Sequence, residues 1–309
     1  MVNKKILNEI NKLANHLGLT LKTTSEEFFK SRTKLLFTSK AMFKDGEEVI
    51  FRFALTEKFN RSIEREVLLY QTAKDKRLDF LPDLLDSGHI LGFKWLIYKY
   101  INWQPSGDTY RFAINRISDY DLILRNLGNF SAFNSLLGCQ IIKKCNNKTW
   151  PDLVNKIIQK DKDLLSDPII NKAIVKVKKK KFFPTKLYYV HGDFHPKNIF
   201  ISGNRVKIID WESSHFNSFA FDCSFVWIRS YNEQVRKRIW QYLVHHYSAN
   251  INEINYVFLV NLLRDHFEWN QAIKKKNELL FVNKIDNKIV RDIMDDLYQK
   301  IKFFSNKPI

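Results

Sequence analysis

Two short β-prone runs in the second half of the chain, 187–190 and 206–209, end directly in polar residues. The first run is followed by His191-Gly192-Asp193-Phe194-His195-Pro196-Lys197-Asn198. The second run is followed by Asp210-Trp211-Glu212. Because loops that leave a rigid strand often carry catalytic groups, we predict that these two strand ends form one functional site.

The residue types at these strand ends indicate phosphoryl transfer. Asp193, Asn198 and Asp210 offer the hard oxygen ligands that Mg²⁺ prefers, and nucleotide phosphates commonly complete its shell. Phosphoryl transfer uses one Asp to accept the proton of the attacking hydroxyl, while an Asn and a second Asp hold metal that bridges the phosphates. A lone His-Gly-Asp is a weak signal, but the whole motif at this spacing is specific.

The first hundred residues predict a small sheet with one inserted helix. Two extended runs flank an Asp45-Gly46 turn, which is typical of a hairpin. Helical spacing of apolar residues covers 3–17, with Gly18 as a stop, and 60–73, and extended runs cover 84–89 and 93–101.

The remainder of the chain is predicted to be mostly helical. Apolar residues recur with helical spacing in 119–137, 150–165, 233–247, 254–273 and 287–304. We therefore predict an α+β protein with two lobes. An N-terminal lobe over 1–100 carries an antiparallel sheet and binds nucleotide, and a larger, mainly helical C-terminal lobe over 101–309 carries the catalytic loop and binds the acceptor.

The motif from His191 to Asn198, with the later Asp210, resembles the catalytic loop of the aminoglycoside phosphotransferase and choline kinase-like family, which has the bilobal protein-kinase-like fold. The resemblance covers most of the chain and implies a small-molecule kinase that uses ATP and Mg²⁺. It implies that Asp193 is the catalytic base and that Asn198 and Asp210 are the magnesium ligands. It also implies that His195 lies near the transferring phosphate, that His191 supports the loop and that Asp222 anchors the loop from below.

The resemblance extends to the sheet lobe. Arg52 stands where the family has a Lys or Arg that reaches the phosphates, and Glu66 is its expected partner, with Glu64 as second choice. The loop between the first two strands has no glycine, so Ser31, Thr33 and the cations Arg32 or Lys34 are expected to contact phosphate instead. The hinge is expected at 97–101, where the backbone of Tyr98 and Tyr100 would bind adenine.

The net charge of +18 over 309 residues suggests an anionic partner. Cations are concentrated between Lys172 and Lys186, which could contact a phosphorylated ligand or an anionic membrane surface. No zinc-finger spacing or RNA-binding aromatic signature supports nucleic acid as a partner. Because the sequence has neither a secretion signal nor an apolar run of about 18 residues, we expect a cytoplasmic protein.

The acceptor is the least constrained part of the prediction. The basic charge favours a sugar or a sugar-containing envelope glycan or glycolipid precursor. The runner-up is an aminoglycoside or a choline-type amino alcohol, for which Asp265, Glu268 and Trp269 share a helix face and could form an acidic wall. A non-catalytic kinase-like module that binds polyanions is an alternative from another class. A protein kinase is disfavoured because Trp211 follows Asp210 where D-F-G is expected.

Overall fold

The structure is a computed structural model that describes residues 4–22, 36–107, 111–114, 116–132, 155, 165–179, 186–246, 250–274 and 287–309. The described residues divide into two compact units. The first unit comprises those up to residue 107 together with 197–213, and the second comprises those in 111–196 and 214–309. The predicted lobe boundary near residue 100 stays a prediction, and the predicted helix over 150–165 lies almost entirely outside the described residues.

The first unit contains a five-stranded antiparallel sheet with the order β1-β2-β3-β5-β4. These strands are β1 (Leu19–Leu21), β2 (Leu36–Phe43), β3 (Glu48–Ala54), β4 (Leu84–Ile90) and β5 (Phe93–Lys99). The predicted Asp-Gly hairpin is confirmed: Gly46 has φ +90°, a conformation that glycine adopts without steric cost, and its N–H donates to the carbonyl of Phe43 at 3.0 Å.

The described residues of this unit include two α-helices. Helix α1 (Lys4–His16) ends before Gly18, whose φ is +71°, as its sequence predicts. Helix α2 (Glu57–Asp75) is longer than the predicted 60–73, because it begins directly after Thr56, where an acidic first residue suits the helix N-terminus. The sheet core is apolar and aromatic, and includes Phe37, Phe51 and Phe53.

A second hairpin belongs to the same unit. Strands β7 (Ile199–Ser202) and β8 (Arg205–Ile208) pair antiparallel around Gly203, and β8 is the second of the two β-prone runs predicted from the sequence. The Ile208 N–H donates to the carbonyl of Phe80 at 2.8 Å, and the Ser106 N–H donates to the carbonyl of Ile199 at 2.7 Å. These bonds fix the hairpin, and with it the residues that follow β8, against the rest of the first unit.

The second unit is mostly helical and also contains β6 (Tyr188–Val190) paired with β9 (His215–Asn217). The helices among its described residues are α3 (Ile117–Ala132), α4 (Pro168–Lys179), α5 (Ala220–Arg229), α6 (Glu233–His246), α7 (Ile251–Lys274) and α8 (Asn287–Ser305). Helix α7 is buried along most of its length, with Tyr256, Phe258 and Leu262 fully enclosed. The α6, α7 and α8 predictions are confirmed to within a few residues, and α3 is confirmed as far as Ala132.

Helix α5 is missing from the sequence prediction. Nine of its ten residues are buried, so its apolar residues surround the axis and leave no polar face to mark a helical period. Among the described residues, no helix combines the length and the apolar character needed to cross a membrane.

Candidate active site

A buried ion pair joins the sheet of the first unit to its helix. Arg52 lies in the middle of β3, and Glu66 lies on the buried face of α2. Nη1 of Arg52 is 2.7 Å from both carboxylate oxygens of Glu66. The structure therefore brings together the two residues that were expected to pair, and the second choice, Glu64, contacts Lys94 instead at 3.3 Å.

Two further carboxylates contact the same guanidinium. Nη2 of Arg52 is 3.3 Å from Oδ1 of Asp210 and 3.0 Å from Oε2 of Glu212. Both residues follow β8, where Trp211 is buried and donates from Nε1 to the carbonyl of Ile208 at 3.0 Å. We call Arg52, Glu66, Asp210 and Glu212 the Arg52 cluster.

The Arg52 cluster places three carboxylates around one guanidinium, so it has an excess of negative charge when all three are ionised. Burial raises the pKa of Glu66 from 4.5 to about 7; the Arg52 guanidinium opposes this rise, and the Asp210 and Glu212 carboxylates add to it. Such a cluster is stabilised by an added cation. Asp210 is the most exposed of the three carboxylates, at 37% against 28% for Glu212, and a cation could reach it.

Asn198 and Asp210 fit a magnesium site by their chemistry. The Ile209 N–H donates to the carbonyl of Asn198 at 3.0 Å, so the residue next to Asp210 is bound to Asn198. One amide and one carboxylate form a sparse ligand set that leaves most positions to phosphates and water, as Mg²⁺ commonly requires. In the described part of the chain, no group of three or more His, Cys, Asp or Glu side chains is placed to hold a metal ion.

The predicted hinge is the end of β5 and the residues that follow it. Tyr98 is buried, and its ring packs edge-on against Tyr70 at 5.9 Å between centroids. The Lys99 N–H donates to the Asp83 carbonyl, and the Tyr100 N–H donates to the Glu48 carbonyl, both at 3.0 Å. The sheet therefore already uses these two N–H groups, and the predicted adenine contacts of Tyr98 and Tyr100 stay predictions.

A cavity of about 450 Å³ opens beside this segment within the first unit. Its lining includes Tyr100, Ile101, Trp103, Arg205 and Lys207. No member of the Arg52 cluster lines it. The predicted phosphate contacts Ser31 and Thr33, with Arg32 and Lys34, lie outside the described residues.

In the second unit, the catalytic-loop motif begins where β6 ends and is held by one buried carboxylate. The N–H groups of His191 and Gly192 donate to the two oxygens of Asp222 at 2.7 and 3.0 Å. Burial raises the pKa of Asp222 from 3.8 to about 6, although His191 and the two backbone donors oppose the rise. Asp222 thus contacts the loop as expected of an anchor.

The loop presents the carboxylate of Asp193, which is 37% exposed. The Asp193 N–H donates to Nδ1 of the fully buried His191 at 3.2 Å, which fixes the backbone before this carboxylate. Nε2 of His195 is 3.7 Å from Oδ2 of Asp193, so the two side chains are close without a direct hydrogen bond. The catalytic roles predicted for Asp193 and His195 stay predictions.

The acidic wall that would suit a cationic acceptor is already paired. Asp265 is buried and lies 3.0 Å from Nη1 of Arg229, and Glu268 lies 3.0 Å from Nε of Arg264. Trp269 is buried. Although the three predicted residues lie at neighbouring helical positions on α7, they do not form an open, unpaired anionic surface.

The lysine-rich stretch contributes partly to packing. Lys172 donates to the side chain of Asn306 at 2.7 Å, and Lys176 donates to the carbonyls of Ser305 and Lys307. Lys178 and Lys179 are exposed at the end of α4. Contact of the Lys172–Lys186 stretch with an anionic membrane stays a prediction.

Two residues near these side chains were not singled out from the sequence. Glu212 contacts Arg52. Its position two residues after Asp210 is the sequence feature that could have identified it. Arg264 lies 3.6 Å from Asp193, measured from Nη2 to Oδ1. Sequence spacing offers no signal for this contact, because only the packing of α7 brings Arg264 to the loop.

Comparison with known proteins identifies the family of the chain. A family model described as "Phosphotransferase enzyme family" matches residues 38–254, which is more than half of the chain. No curated protein sequence matches the chain.

Several solved structures are similar to the chain at low sequence identity. A macrolide 2'-phosphotransferase from Brachybacterium faecium is 11% identical with a TM-score of 0.60, and the match covers 94% of this chain and 98% of that one. A choline kinase from Cryptosporidium parvum is 13% identical with a TM-score of 0.57, covering 98% and 94%. A spectinomycin phosphotransferase solved with ADP and spectinomycin is 13% identical with a TM-score of 0.59, covering 93% and 92%.

At these identities the likeness shows the fold, and the predicted protein-kinase-like fold is confirmed. The family model adds a match in sequence that includes Arg52, Glu66, Asp193, Asn198 and Asp210. The chain belongs to the phosphotransferase enzyme family.

Proposed function

We propose that this chain transfers the γ-phosphoryl group of ATP, with Mg²⁺, to a hydroxyl group of a sugar or of a sugar-containing envelope precursor. That it is a small-molecule phosphotransferase follows from its family. The nucleotide, the metal and the acceptor are the proposed part. The observation that carries the proposal is the contact of Arg52 with both Glu66 and Asp210.

This contact has a clear meaning in phosphoryl transfer. Kinases of this fold need a cation on the third strand that pairs with a helix glutamate and reaches the nucleotide phosphates, and an Asp that holds metal. Arg52 has the position and partner of that cation, and its planar guanidinium can bind phosphate oxygens in pairs. Asp210, which follows β8, has the position of that Asp.

The proposed chemistry divides between groups of this chain as follows. Asn198 and Asp210 would hold Mg²⁺, which would neutralise charge on the phosphates. Asp193 would orient the acceptor hydroxyl and take its proton. His195, within 3.7 Å of Asp193, would lie near the transferring phosphate. Ser31, Thr33 and the hinge residues Tyr98 and Tyr100 are the further proposed nucleotide contacts.

The choice of a sugar over a polycation is supported by the pairing on α7. Aminoglycosides and choline-type amino alcohols carry positive charge, and a site for them needs carboxylates that are not already neutralised. Asp265 and Glu268 each contact a guanidinium, and Trp269 is buried rather than open as a platform for an ammonium group. An amino-alcohol or aminoglycoside acceptor remains the runner-up, since structures similar to this chain include a choline kinase and a spectinomycin phosphotransferase.

A non-catalytic module that binds polyanions is the alternative of another class. It would have no physical need for an exposed Asp193 or for three carboxylates around Arg52. Such a module would bind polyanions with a steep dependence on salt and without turnover of ATP.

The test is transfer of label from γ-labelled ATP, with Mg²⁺, to a panel of free sugars, envelope glycolipid precursors, amino alcohols and aminoglycosides. Asp193→Asn is the inactive variant, and Asp121→Asn, which removes a surface carboxylate bound to Arg238, is the matched control. Label that reaches one acceptor class in the wild type and the control, but not in Asp193→Asn, supports the proposal. A wild-type protein that binds no nucleotide and labels no acceptor contradicts it.

A further inference from the structure

Arg264 is the cationic side chain of α7 that contacts the catalytic-loop motif. Its Nη2 lies 3.6 Å from Oδ1 of Asp193, and its Nη1 lies 3.4 Å from the carbonyl of Gly192. Its guanidinium also lies over the ring of Phe225, at 5.0 Å from the ring centre. All four residues belong to the second unit.

These contacts leave the guanidinium with capacity for a further partner. Its Nε bonds Glu268 at 3.0 Å, but the two nitrogens directed at the loop make contacts of 3.4 Å or more, which is longer than the 2.7–2.9 Å of a strong charge-assisted hydrogen bond. The Arg264 side chain is 18% exposed. An anion that reaches this edge could therefore bind it more closely than the loop does.

Arg264 keeps its charge in this setting. Burial opposes the charge, but the carboxylates of Glu268, Asp193 and Asp265 raise the pKa of Arg264 above its ordinary value. Asp265 itself is paired with Arg229, and Glu268 is paired with Arg264. Asp265 and Glu268 are thus each paired with one guanidinium group, and Asp193 is the third carboxylate of this group.

The position of Arg264 determines which chemical groups an acceptor can have near its reacting hydroxyl. An acceptor oxygen hydrogen-bonded to Oδ1 of Asp193 would lie within about 6.4 Å of Nη2 of Arg264, because that nitrogen is 3.6 Å from Oδ1 and an ordinary hydrogen bond adds about 2.8 Å. A group one to three bonds from the reacting hydroxyl can then contact the guanidinium. A planar guanidinium pairs well with carboxylate or phosphate oxygens and repels an ammonium group.

We propose that Arg264 binds an anionic group, a carboxylate or a phosphate ester, on the acceptor, so that the enzyme phosphorylates a hydroxyl of an acidic small molecule. The inference rests on the proposed function and names its substrate class. In the reaction, the acceptor oxygen forms a bond to the γ-phosphorus and the bond from that phosphorus to the β–γ bridging oxygen breaks. ADP leaves with the electron pair of that bond, and Asp193 takes the hydroxyl proton.

Three sugars that differ mainly in charge test this proposal: glucuronate, glucose and glucosamine. Their affinities are measured by calorimetry on the full chain with Mg²⁺ and a non-hydrolysable ATP analogue, and their phosphorylation is measured with ATP. The variants are Arg264→Gln, which removes the charge, and Arg264→Lys, which keeps it. Arg238→Gln, which removes an exposed arginine paired with Asp121 in the same unit, is the matched control.

We expect the wild type and Arg238→Gln to bind glucuronate most tightly and glucosamine least. Arg264→Gln should weaken glucuronate binding about 10- to 100-fold, which is the loss in affinity expected when one charge-assisted hydrogen bond is removed. It should leave glucose binding nearly unchanged. Arg264→Lys should bind the three sugars in the same order of affinity as the wild type, with smaller differences between them. If Arg264→Gln does not fold, the affinities of Arg264→Lys test the proposal.

Three results would overturn the proposal. The first is an unchanged order of affinities in Arg264→Gln. The second is an equal loss of turnover for all three sugars, which would make Arg264 a positioning residue for Asp193 alone. The third is tightest binding of glucosamine, or no measurable binding of any of the three, by the wild type. Nucleotide binding and Asp193-dependent transfer to another acceptor would in these cases leave the proposed function standing.

Discussion

Nη1 of Arg52 lies 2.7 Å from both carboxylate oxygens of Glu66, and neither side chain is more than 5% exposed. Because water scarcely reaches either side chain, each charge depends on the other for compensation. Because Asp210 and Glu212 contact the same guanidinium, a change in Arg52 acts on stability and on the proposed nucleotide site together.

Arg52→Met should destabilise the fold by about 3–5 kcal/mol, because it leaves the Glu66 carboxylate buried without a partner. It should also weaken Mg²⁺–ATP binding about 10- to 100-fold, if Arg52 gives the phosphates one charge-assisted hydrogen bond. Urea unfolding and nucleotide titration measure the two effects.

The double variant Arg52→Met, Glu66→Leu separates these effects. Removing both partners leaves no buried charge from the pair, so most of the lost stability should return while nucleotide binding stays weak. Wild-type nucleotide affinity in the double variant would contradict a role for Arg52 in binding phosphate.

Asp193→Asn should lower the transfer rate by about 10²- to 10⁴-fold, the usual contribution of a general base. Nucleotide affinity should stay near that of the wild type, since Asp193 is proposed to act on the acceptor. Single-turnover transfer and nucleotide titration provide the two measurements. Asp121→Asn should match the wild type in both, and comparable transfer rates in the two variants would refute the assignment of Asp193.

Asp210→Asn tests the proposed metal site with little disturbance of the backbone. Asp210 has φ +66°, in the left-handed region, which Asn adopts more readily than most residues. The substitution removes the charge that is proposed to hold Mg²⁺, so half-maximal activity should require at least about tenfold more free Mg²⁺, corresponding to about 1.4 kcal/mol of lost binding energy. Activity titrated against free Mg²⁺ gives the measurement.

The matched control for Asp210→Asn is Asp83→Asn. Asp83 is an exposed carboxylate of the same unit that lies 3.4 Å from Lys207. We expect its removal to leave the Mg²⁺ requirement at the wild-type value. An equal requirement in all three proteins would exclude Asp210 as a magnesium ligand.

The sequence predicts the elements that rest on local signals. The Asp45-Gly46 turn marks the β2–β3 hairpin because its residue types suit a tight turn. The residues after β6 and β8 stand out because polar groups follow apolar strands directly. The contact between Arg52 and Glu66 could be predicted because the family resemblance matches one residue to a strand and the other to the helix that follows.

Packing between distant helices could not be predicted in the same way. The spacing of Asp265, Glu268 and Trp269 shows that they lie near one another on α7, but it does not show what that face contacts. The structure pairs two of them with arginines and buries the third. Arg264 reaches Asp193 across 71 positions of sequence, a contact that depends on where α7 packs and not on any local pattern.

Asp222 gives a pH-dependent prediction, because burial raises its pKa from 3.8 to about 6 in the folded protein. At a pH between these two pKa values, the Asp222 carboxyl keeps its proton in the folded state and loses it in the unfolded state. Stability therefore falls as pH rises through this window, since the folded state binds more protons. A difference of about two pKa units corresponds to about 3 kcal/mol, and Asp222→Asn should remove this fall.

The measurement is the free energy of unfolding in urea at several pH values between 4 and 6.5, for the wild type and for Asp222→Asn. Asp167→Asn is the matched control, because Asp167 also accepts two backbone N–H groups, from Ile169 and Ile170 at 2.8 and 2.9 Å, but is less buried. The wild type and Asp167→Asn should lose stability in parallel as pH rises, while Asp222→Asn should lose less. Since Asn offers one accepting oxygen to the two N–H groups of His191 and Gly192, the Asp222→Asn loop should also be less well held, and its transfer rate should fall. Parallel pH curves for all three proteins would show that Asp222 is ionised in the folded state throughout this range, and the loop would then be anchored by a charged carboxylate.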